Sequence, residues 1–162
     1  LVTRYLPAGS APILDAGAGT GLVGELLGTM GYPEVDALDA SPGMLEIARK
    51  KNAYRELHHA FLGEPLPFVD GRYAAAISTG VFTTGHVGTE GLPELFRVVQ
   101  AGGPIVLSVK GTLWEAGFEE YLSESQSSGR IEVAHVTPSY ASMPSGVTTS
   151  PCVGVVIRVA AS

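Results

Sequence analysis

Residues 13–21 read Ile13-Leu14-Asp15-Ala16-Gly17-Ala18-Gly19-Thr20-Gly21. A short apolar run ends in an acid, and glycines then stand at every second position. An apolar helical pattern follows at once in Leu22, Val23, Leu26, Leu27 and Met30. This succession predicts strand, tight loop and helix, the entry unit of a nucleotide-binding α/β sheet. Glycine lacks a Cβ, so such a loop can turn sharply and let a ligand lie close.

Working outward, Val35-Asp36-Ala37-Leu38-Asp39 reads as a second strand that also ends in an acid. Asp39 lies 22 residues beyond Gly17, the separation at which an acid meets ribose hydroxyls in such folds. Ser41 and Pro42 mark a helix start, one as a side-chain cap and the other with φ already set. Met44, Leu45, Ile47 and Ala48 supply that helix's apolar face. Residues 57–61 give a third strand. Residues 63–72 hold Pro65, Pro67 and Gly71 and read as a loop. A fourth strand over 73–77 is small enough to be covered on both faces, and Thr79, Gly80, Thr83, Thr84, Gly85 and His86 read as a polar loop after it. Leu92, Leu95, Phe96 and Val99 form a helical face that Gly102 and Gly103 close before a fifth strand over 104–109.

Thr112 and Glu115 have capping-box spacing, which predicts a helix burying Trp114, Phe118, Tyr121 and Leu122 and ending at Gly129. Two strands follow, over 131–136 and 153–159. Residues 137–151 between them are rich in Ser, Pro, Gly and Thr and read as a mobile loop. A parallel crossover needs a dozen or more residues, usually a helix, so these two strands are expected to be antiparallel neighbours. Residues 1–12 look like a helix tail and a linker, so an N-terminal segment is expected to be missing from a single domain over 1–162.

The chain has 162 residues, enough for one domain with a real core. Its 45% apolar and 16% charged content is that of an ordinary globular protein. A net charge of −6 gives no electrostatic reason to bind phosphate backbones or anionic lipid, so neither nucleic acid nor membrane is an expected partner. The basic residues Arg49, Lys50, Lys51 and Arg55 read as a solvated helix end set against the helix dipole. The single Cys152 excludes an internal disulfide, and no Cys/His set has zinc spacing. The sequence shows no secretory signal and no bilayer-spanning apolar run. A cytoplasmic location is the default on the absence of signals.

DAGAGTG, the acid Asp39 in LDASPGMLEIAR, the strand YAAAIS and the AGG turn before IVLSV together resemble class I S-adenosylmethionine-dependent methyltransferases. The likeness covers almost the whole chain, and its motifs run to residue 109. More narrowly, TGLVGELL, SPGMLE, LGEPLP and the PEL…GG stretch are similar to the methyltransferase-like group named for the Williams–Beuren syndrome region. The resemblance implies a Rossmann-like α/β fold, a seven-stranded sheet of order 3-2-1-4-5-7-6 with strand 7 antiparallel, flanked by helices. It implies S-adenosyl-L-methionine as cofactor and S-adenosyl-L-homocysteine as product. Gly17, Ala18, Gly19 and Gly21 would pass under the methionine and ribose portions. Asp15 would support the methionine ammonium, Asp39 would accept the ribose hydroxyls, and Ala40 and Met44 would wall the adenine. The missing N-terminal segment would be the family's lid over the site.

Two departures from the family pattern sharpen this reading. Leu62 or Gly63 stands where many members place an acid or amide for the adenine amino group, so base recognition falls to backbone groups there. Ser78-Thr79-Gly80-Val81 stands where many amino-methylating members carry an Asn/Asp-Pro-Pro-aromatic motif. With Ser78 and Thr79 lining the site instead, a small-molecule or protein acceptor is favoured over a nucleic-acid base or glutamine. Methyl transfer from a sulfonium is an in-line displacement in which a base is optional. His86 is the histidine on the expected substrate side and the candidate base; Tyr140 could cap that side. Two alternatives stay open. One is a cofactor-binding but inactive interaction protein of the same fold. The other is an NAD-dependent oxidoreductase, because Gly19-Thr20-Gly21-Leu22-Val23-Gly24 fits G-x-G-x-x-G. In that case the first glycine should follow the strand directly, yet Asp15-Ala16-Gly17-Ala18 intervene, and no Tyr-x-x-x-Lys pair is present.

Overall fold

The computed structural model describes residues 1–140 and 151–161. Seven strands form one sheet in the order β3-β2-β1-β4-β5-β7-β6. They are β1 (Ile13–Ala16), β2 (Val35–Asp39), β3 (Glu56–His59), β4 (Ala75–Phe82), β5 (Pro104–Lys110), β6 (Ile131–Val136) and β7 (Cys152–Val159). The first five are parallel; β7 runs antiparallel to both β5 and β6. This is the sheet implied by the resemblance, and among the described residues none forms the sixth parallel strand of a dehydrogenase domain.

The central strands are buried on both faces, as their near-continuous apolar runs require. Leu14, Ala16 and Leu38 join Tyr73, Leu95, Leu107, Phe118 and Leu122 in one cluster. That face is covered by α4 (Leu92–Val98) and α6 (Glu119–Ser127). Ile13, Val35, Ala75 and Val106 pack with Leu27 and Tyr32 on the other face, beneath α1 (Val2–Tyr5) and α2 (Leu22–Thr29). Ala18, Ala37 and Leu45 extend this layer under α3 (Pro42–Lys50). The period-2 alternation of β7 separates its side chains in the same way: Val153, Val155 and Ile157 face the first cluster, Val156 the second. Each fully buried aliphatic side chain contributes about 1.5–3 kcal/mol.

Several element ends are as the local sequence signals predict. The Ser41 hydroxyl accepts from the Met44 amide at 3.3 Å, with Pro42 in the first turn. Gly129 closes α6 at φ +79°. Cys152 is a small buried residue at the start of β7.

Three expectations are corrected. β4 does not stop at residue 77 but runs on to Phe82, with an irregularity in its pairing to β5 between Ser78 and Phe82. The Gly80 amide donates to Ser108 Oγ at 3.0 Å, so small polar residues here belong to a strand. Thr112 caps nothing: α5 (Gly111–Leu113) begins without a side-chain cap, and the Thr112 and Thr84 hydroxyls lie 3.0 Å apart. A π-helical turn over Trp114–Phe118, broken at Gly117 with φ +125°, then leads into α6. Arg55 is not part of a solvated helix end. Its guanidinium clasps the wholly buried Asp36 through Nε–Oδ1 at 3.0 Å and Nη2–Oδ2 at 2.9 Å. Of the loop over 137–151, residues 141–150 lie outside the described residues. Tyr140 pairs by backbone with Cys152. Among the described residues, no helix is long and apolar enough to cross a membrane.

Candidate functional site

Parallel strands of an open α/β sheet place their ligand crevice beyond the carboxyl ends, where the strand order reverses. Here that point lies between β1 and β4, since β2 continues on one side of β1 and β4 on the other. A cleft opens there, lined by Gly17, Leu38, Asp39, Ala40, Ala60, Leu62, Gly80, Val81, His86 and Val87. It encloses about 530 Å³, part of it open to solvent. Most of its lining is apolar, and Asp39 is the carboxylate that enters it.

The glycine loop is held in place by two backbone bonds, from the Gly17 and Ala18 amides to the Leu38 carbonyl at 2.7 and 3.0 Å. Gly17 has φ +83°, and a Cβ built on it would sit 2.1 Å from Val81 Cγ2. No other residue fits that backbone against that neighbour. Gly21 serves a different purpose. At φ +95° it forms the N-cap of α2, and its missing Cβ makes room for Tyr54 and Ala48.

Asp39 ends β2 with its carboxylate already oriented. Oδ2 accepts the Gly19 amide at 2.8 Å and Oδ1 accepts the Ser41 amide at 2.9 Å. A carboxylate offers about four lone-pair sites, so each oxygen keeps one for a further donor. Two hydroxyls on adjacent carbons match what is left.

Asp15 lies beneath the same loop, 1% exposed. The Tyr54 hydroxyl donates to its Oδ2 at 2.6 Å, while Oδ1 is buried with no partner among the described residues. Burial pushes the carboxyl up to about 6; the Tyr54 hydrogen bond opposes this and the nearby Asp39 charge adds to it. Burial and the Asp15 charge raise the Tyr54 phenol well above its ordinary value. An orphaned buried carboxylate oxygen is an unmet demand for a donor.

The residues expected from sequence fall into three groups. Gly17, Asp39, Ala40, Leu62 and His86 line the cleft. Asp15, Ala18, Gly19 and Gly21 form the loop and what lies under it. Ser78 is buried and donates to the Ala16 carbonyl at 2.7 Å, tying β4 to β1. Thr79 and Met44 are exposed outside the cleft lining, and Gly63 packs against Glu90. Gly80 and Val81 line the cleft where Ser78 and Thr79 of the same segment were expected to, and Leu38, Ala60, Val87 and Tyr54 were not anticipated. Leu38 was legible as the residue before the acid of β2. The others depend on where β4 and the chain after α3 come to rest.

The chemistry of this donor set fits S-adenosylmethionine. The cleft offers an apolar wall for a base, a pre-set carboxylate for a diol, and a loop with three glycines that lack a Cβ over an orphaned carboxylate oxygen. Comparison with known proteins agrees. The chain is 37% identical over 117 residues to human methyltransferase-like protein 27, covering 72% of this chain and 47% of that protein. It is 38% identical over 122 residues to malonyl-[acyl-carrier protein] O-methyltransferase of Serratia marcescens, covering 70% and 46%. The chain thus spans about half the length of the curated relatives it matches. A SAM-dependent methyltransferase structure from Methanosarcina mazei superposes with a TM-score of 0.77 at 16% identity, covering 99% of this chain and 97% of that one. The methyltransferase domain family model matches residues 13–103, the segment carrying the glycine loop and the Asp39 strand, and the chain belongs to that family.

Proposed function

We propose that this chain binds S-adenosylmethionine and transfers its methyl group to a small-molecule or protein acceptor. The observation that carries the reading is the Asp39 carboxylate, fixed by the Gly19 and Ser41 amides at the mouth of the apolar cleft. The cofactor's contribution is an electrophilic methyl carbon on a sulfonium. The chain's part is to place it. Asp39 holds the ribose hydroxyls by charge-assisted hydrogen bonds. Leu38, Ala60 and Leu62 give the base an apolar wall. Asp15 answers the methionine ammonium from below the loop. Gly80, Val81, His86 and Val87 bound the side left for an acceptor, and the candidate base there is His86. Positioning of this kind can supply much of the rate of an in-line displacement.

A titration with S-adenosylhomocysteine and, separately, with NADH tests the reading. The homocysteine compound should bind and NADH should not; the reverse result overturns it. Asp39→Ala removes two hydrogen bonds to a charged group, each contributing about 1.5–3 kcal/mol. With water replacing part of the contact, affinity should fall about 10- to several-hundred-fold. Release of several ion equivalents on binding duplex DNA would count against the acceptor class.

A further inference from the structure

We propose that Tyr54 is the positioning residue of the cofactor's amino-acid end: its hydroxyl holds Asp15 so that the carboxylate's free oxygen is kept for an ammonium. The proposal rests on the S-adenosylmethionine reading and adds a residue to it. Tyr54 lies in the connection between α3 and β3, 39 residues from Asp15 in sequence. Its hydroxyl makes two bonds at once. It donates to Asp15 Oδ2 at 2.6 Å and accepts the Gly24 amide at 3.1 Å.

The second bond explains the first. The opening amides of a helix lack intrahelical partners and need an outside acceptor. The N-cap of α2 is Gly21, which has no side chain to supply one. Tyr54 supplies it from another element, and its single proton is thereby committed to Asp15. The ring fits closely against both glycines of that turn: a Cβ on Gly24 would come within 2.3 Å of it and one on Gly21 within 3.1 Å. Tyr54 is therefore locked by packing as well as by bonding. Asp15 in turn can rotate only by breaking the 2.6 Å bond, so Oδ1 stays unpartnered in a fixed place.

The arrangement has a pH signature. The charged groups facing Asp15 and Tyr54 are Asp39 from β2 and Glu25 from α2. Glu25 is paired with Lys51 at 3.1 Å. Burial and Asp39 push Asp15 up to about 6, and Tyr54 is the group that resists this. An ammonium pairs with the carboxylate form, so affinity for a ligand bearing one should fall as pH drops through about 6. Removing the Tyr54 hydroxyl raises that midpoint, because a hydrogen bond favouring the charged form is lost.

The test is calorimetric titration from pH 5 to 8.5 with two ligands. S-adenosylhomocysteine carries the ammonium; methylthioadenosine lacks the whole amino-acid end. In Tyr54→Phe the midpoint for S-adenosylhomocysteine should move up by about one pH unit, while methylthioadenosine affinity stays within twofold at every pH. His86 lines the same cleft, so the comparison is repeated in a His86→Gln background, where the shift should persist. An unchanged midpoint, or equal losses for both ligands, overturns the proposal. Failure of the unaltered protein to bind S-adenosylhomocysteine at any pH instead overturns the cofactor reading. If Tyr54→Phe does not fold, fluorotyrosine incorporation keeps the ring and strengthens the donor. The midpoint should then move down, and no movement refutes the role.

Discussion

Asp36 and Asp15 are both acids on central strands, both almost wholly buried, and the molecule treats them in opposite ways. Asp36 lies on β2 and faces the α4 side of the sheet. Arg55 grips it with two bonds, the Tyr73 hydroxyl donates at 2.9 Å, and Arg72 stands 3.9 Å away. Burial works against its charge, but the Arg55 and Tyr73 hydrogen bonds outweigh it and hold the carboxyl below its usual range. Asp15 lies on β1 and faces the α2–α3 side, at the end where the glycine loop sits. It has one partner, one empty oxygen and a carboxyl raised to about 6. A buried acid whose oxygens are all engaged from within the chain belongs to the fold. One left half-engaged costs the fold free energy and is explained by what it will bind.

The contrast predicts opposite signs for one chemical change. Asp36→Asn removes the charge opposite Arg55 and turns amide hydrogens toward its guanidinium. Breaking a buried pair costs about 3–5 kcal/mol, but the Arg55 side chain is 37% exposed and keeps some hydration. Unfolding in urea should therefore show a loss of about 2–3 kcal/mol, with methylthioadenosine affinity unchanged in the folded fraction. A loss under about 0.5 kcal/mol would mean that the network is a surface ion pair in effect and would erase the comparison.

Asp15→Asn should do the reverse in the ligand-free protein. An acid raised on folding stabilises the native state while protonated. That contribution is full below the unfolded value of 3.8 and is lost as pH rises through about 6. Above pH 7 the ionised form costs up to about 3 kcal/mol, and the neutral amide recovers part of it, a net gain of about 1 kcal/mol after leaving one donor unpaired. At pH 4.5 the gain should vanish, because the native acid is then protonated as well. Urea midpoints at the two pH values check this, and destabilisation of equal size at both would refute it. Asp36 runs the other way: its contribution is present above the ordinary carboxyl range and is lost as pH falls through its lowered folded value.

What sequence could reveal divides along the same line. The strand–loop–helix at 13–30, the acid at Asp39 and the Ser41 cap are local patterns, and each is found where the residues placed it. The strand order followed from the resemblance and is observed. The partners of Asp36 and Asp15 were not legible, because Arg55 and Tyr54 reach them from 19 and 39 residues away. A signal was present for one of them: an acid inside the apolar run Val35-Asp36-Ala37-Leu38 must be paired if the strand is buried. The extension of β4 was hidden by composition. Ser78, Thr79 and Gly80 look like a loop until the Ser78 hydroxyl is seen bonding the Ala16 carbonyl and the Gly80 amide Ser108 Oγ.

The smallest expected effect falls at Thr112, where spacing alone pointed to a function that tertiary structure does not use. Thr112 and Glu115 have the capping-box separation, and replacing a real N-cap by alanine costs about 0.5–2 kcal/mol. Thr112 instead lies inside α5, whose N-cap is Lys110 with no side-chain bond. Its hydroxyl meets Thr84 in an exposed pair at 3.0 Å. Water can replace a bond of that kind on either side, and alanine is the better helix former at an interior position. Thr112→Ala should therefore change stability by less than about 0.5 kcal/mol in urea unfolding. Ser41→Ala, at a cap whose oxygen does accept the Met44 amide, should cost about 1 kcal/mol. Measured side by side, the two substitutions separate a polar group the fold depends on from one it merely carries, on the exposed surface where neither burial nor charge decides the outcome. Equal costs for the pair would show that the Thr112–Thr84 contact steadies the loop after β4, placing Thr112 with Asp36 rather than apart from it.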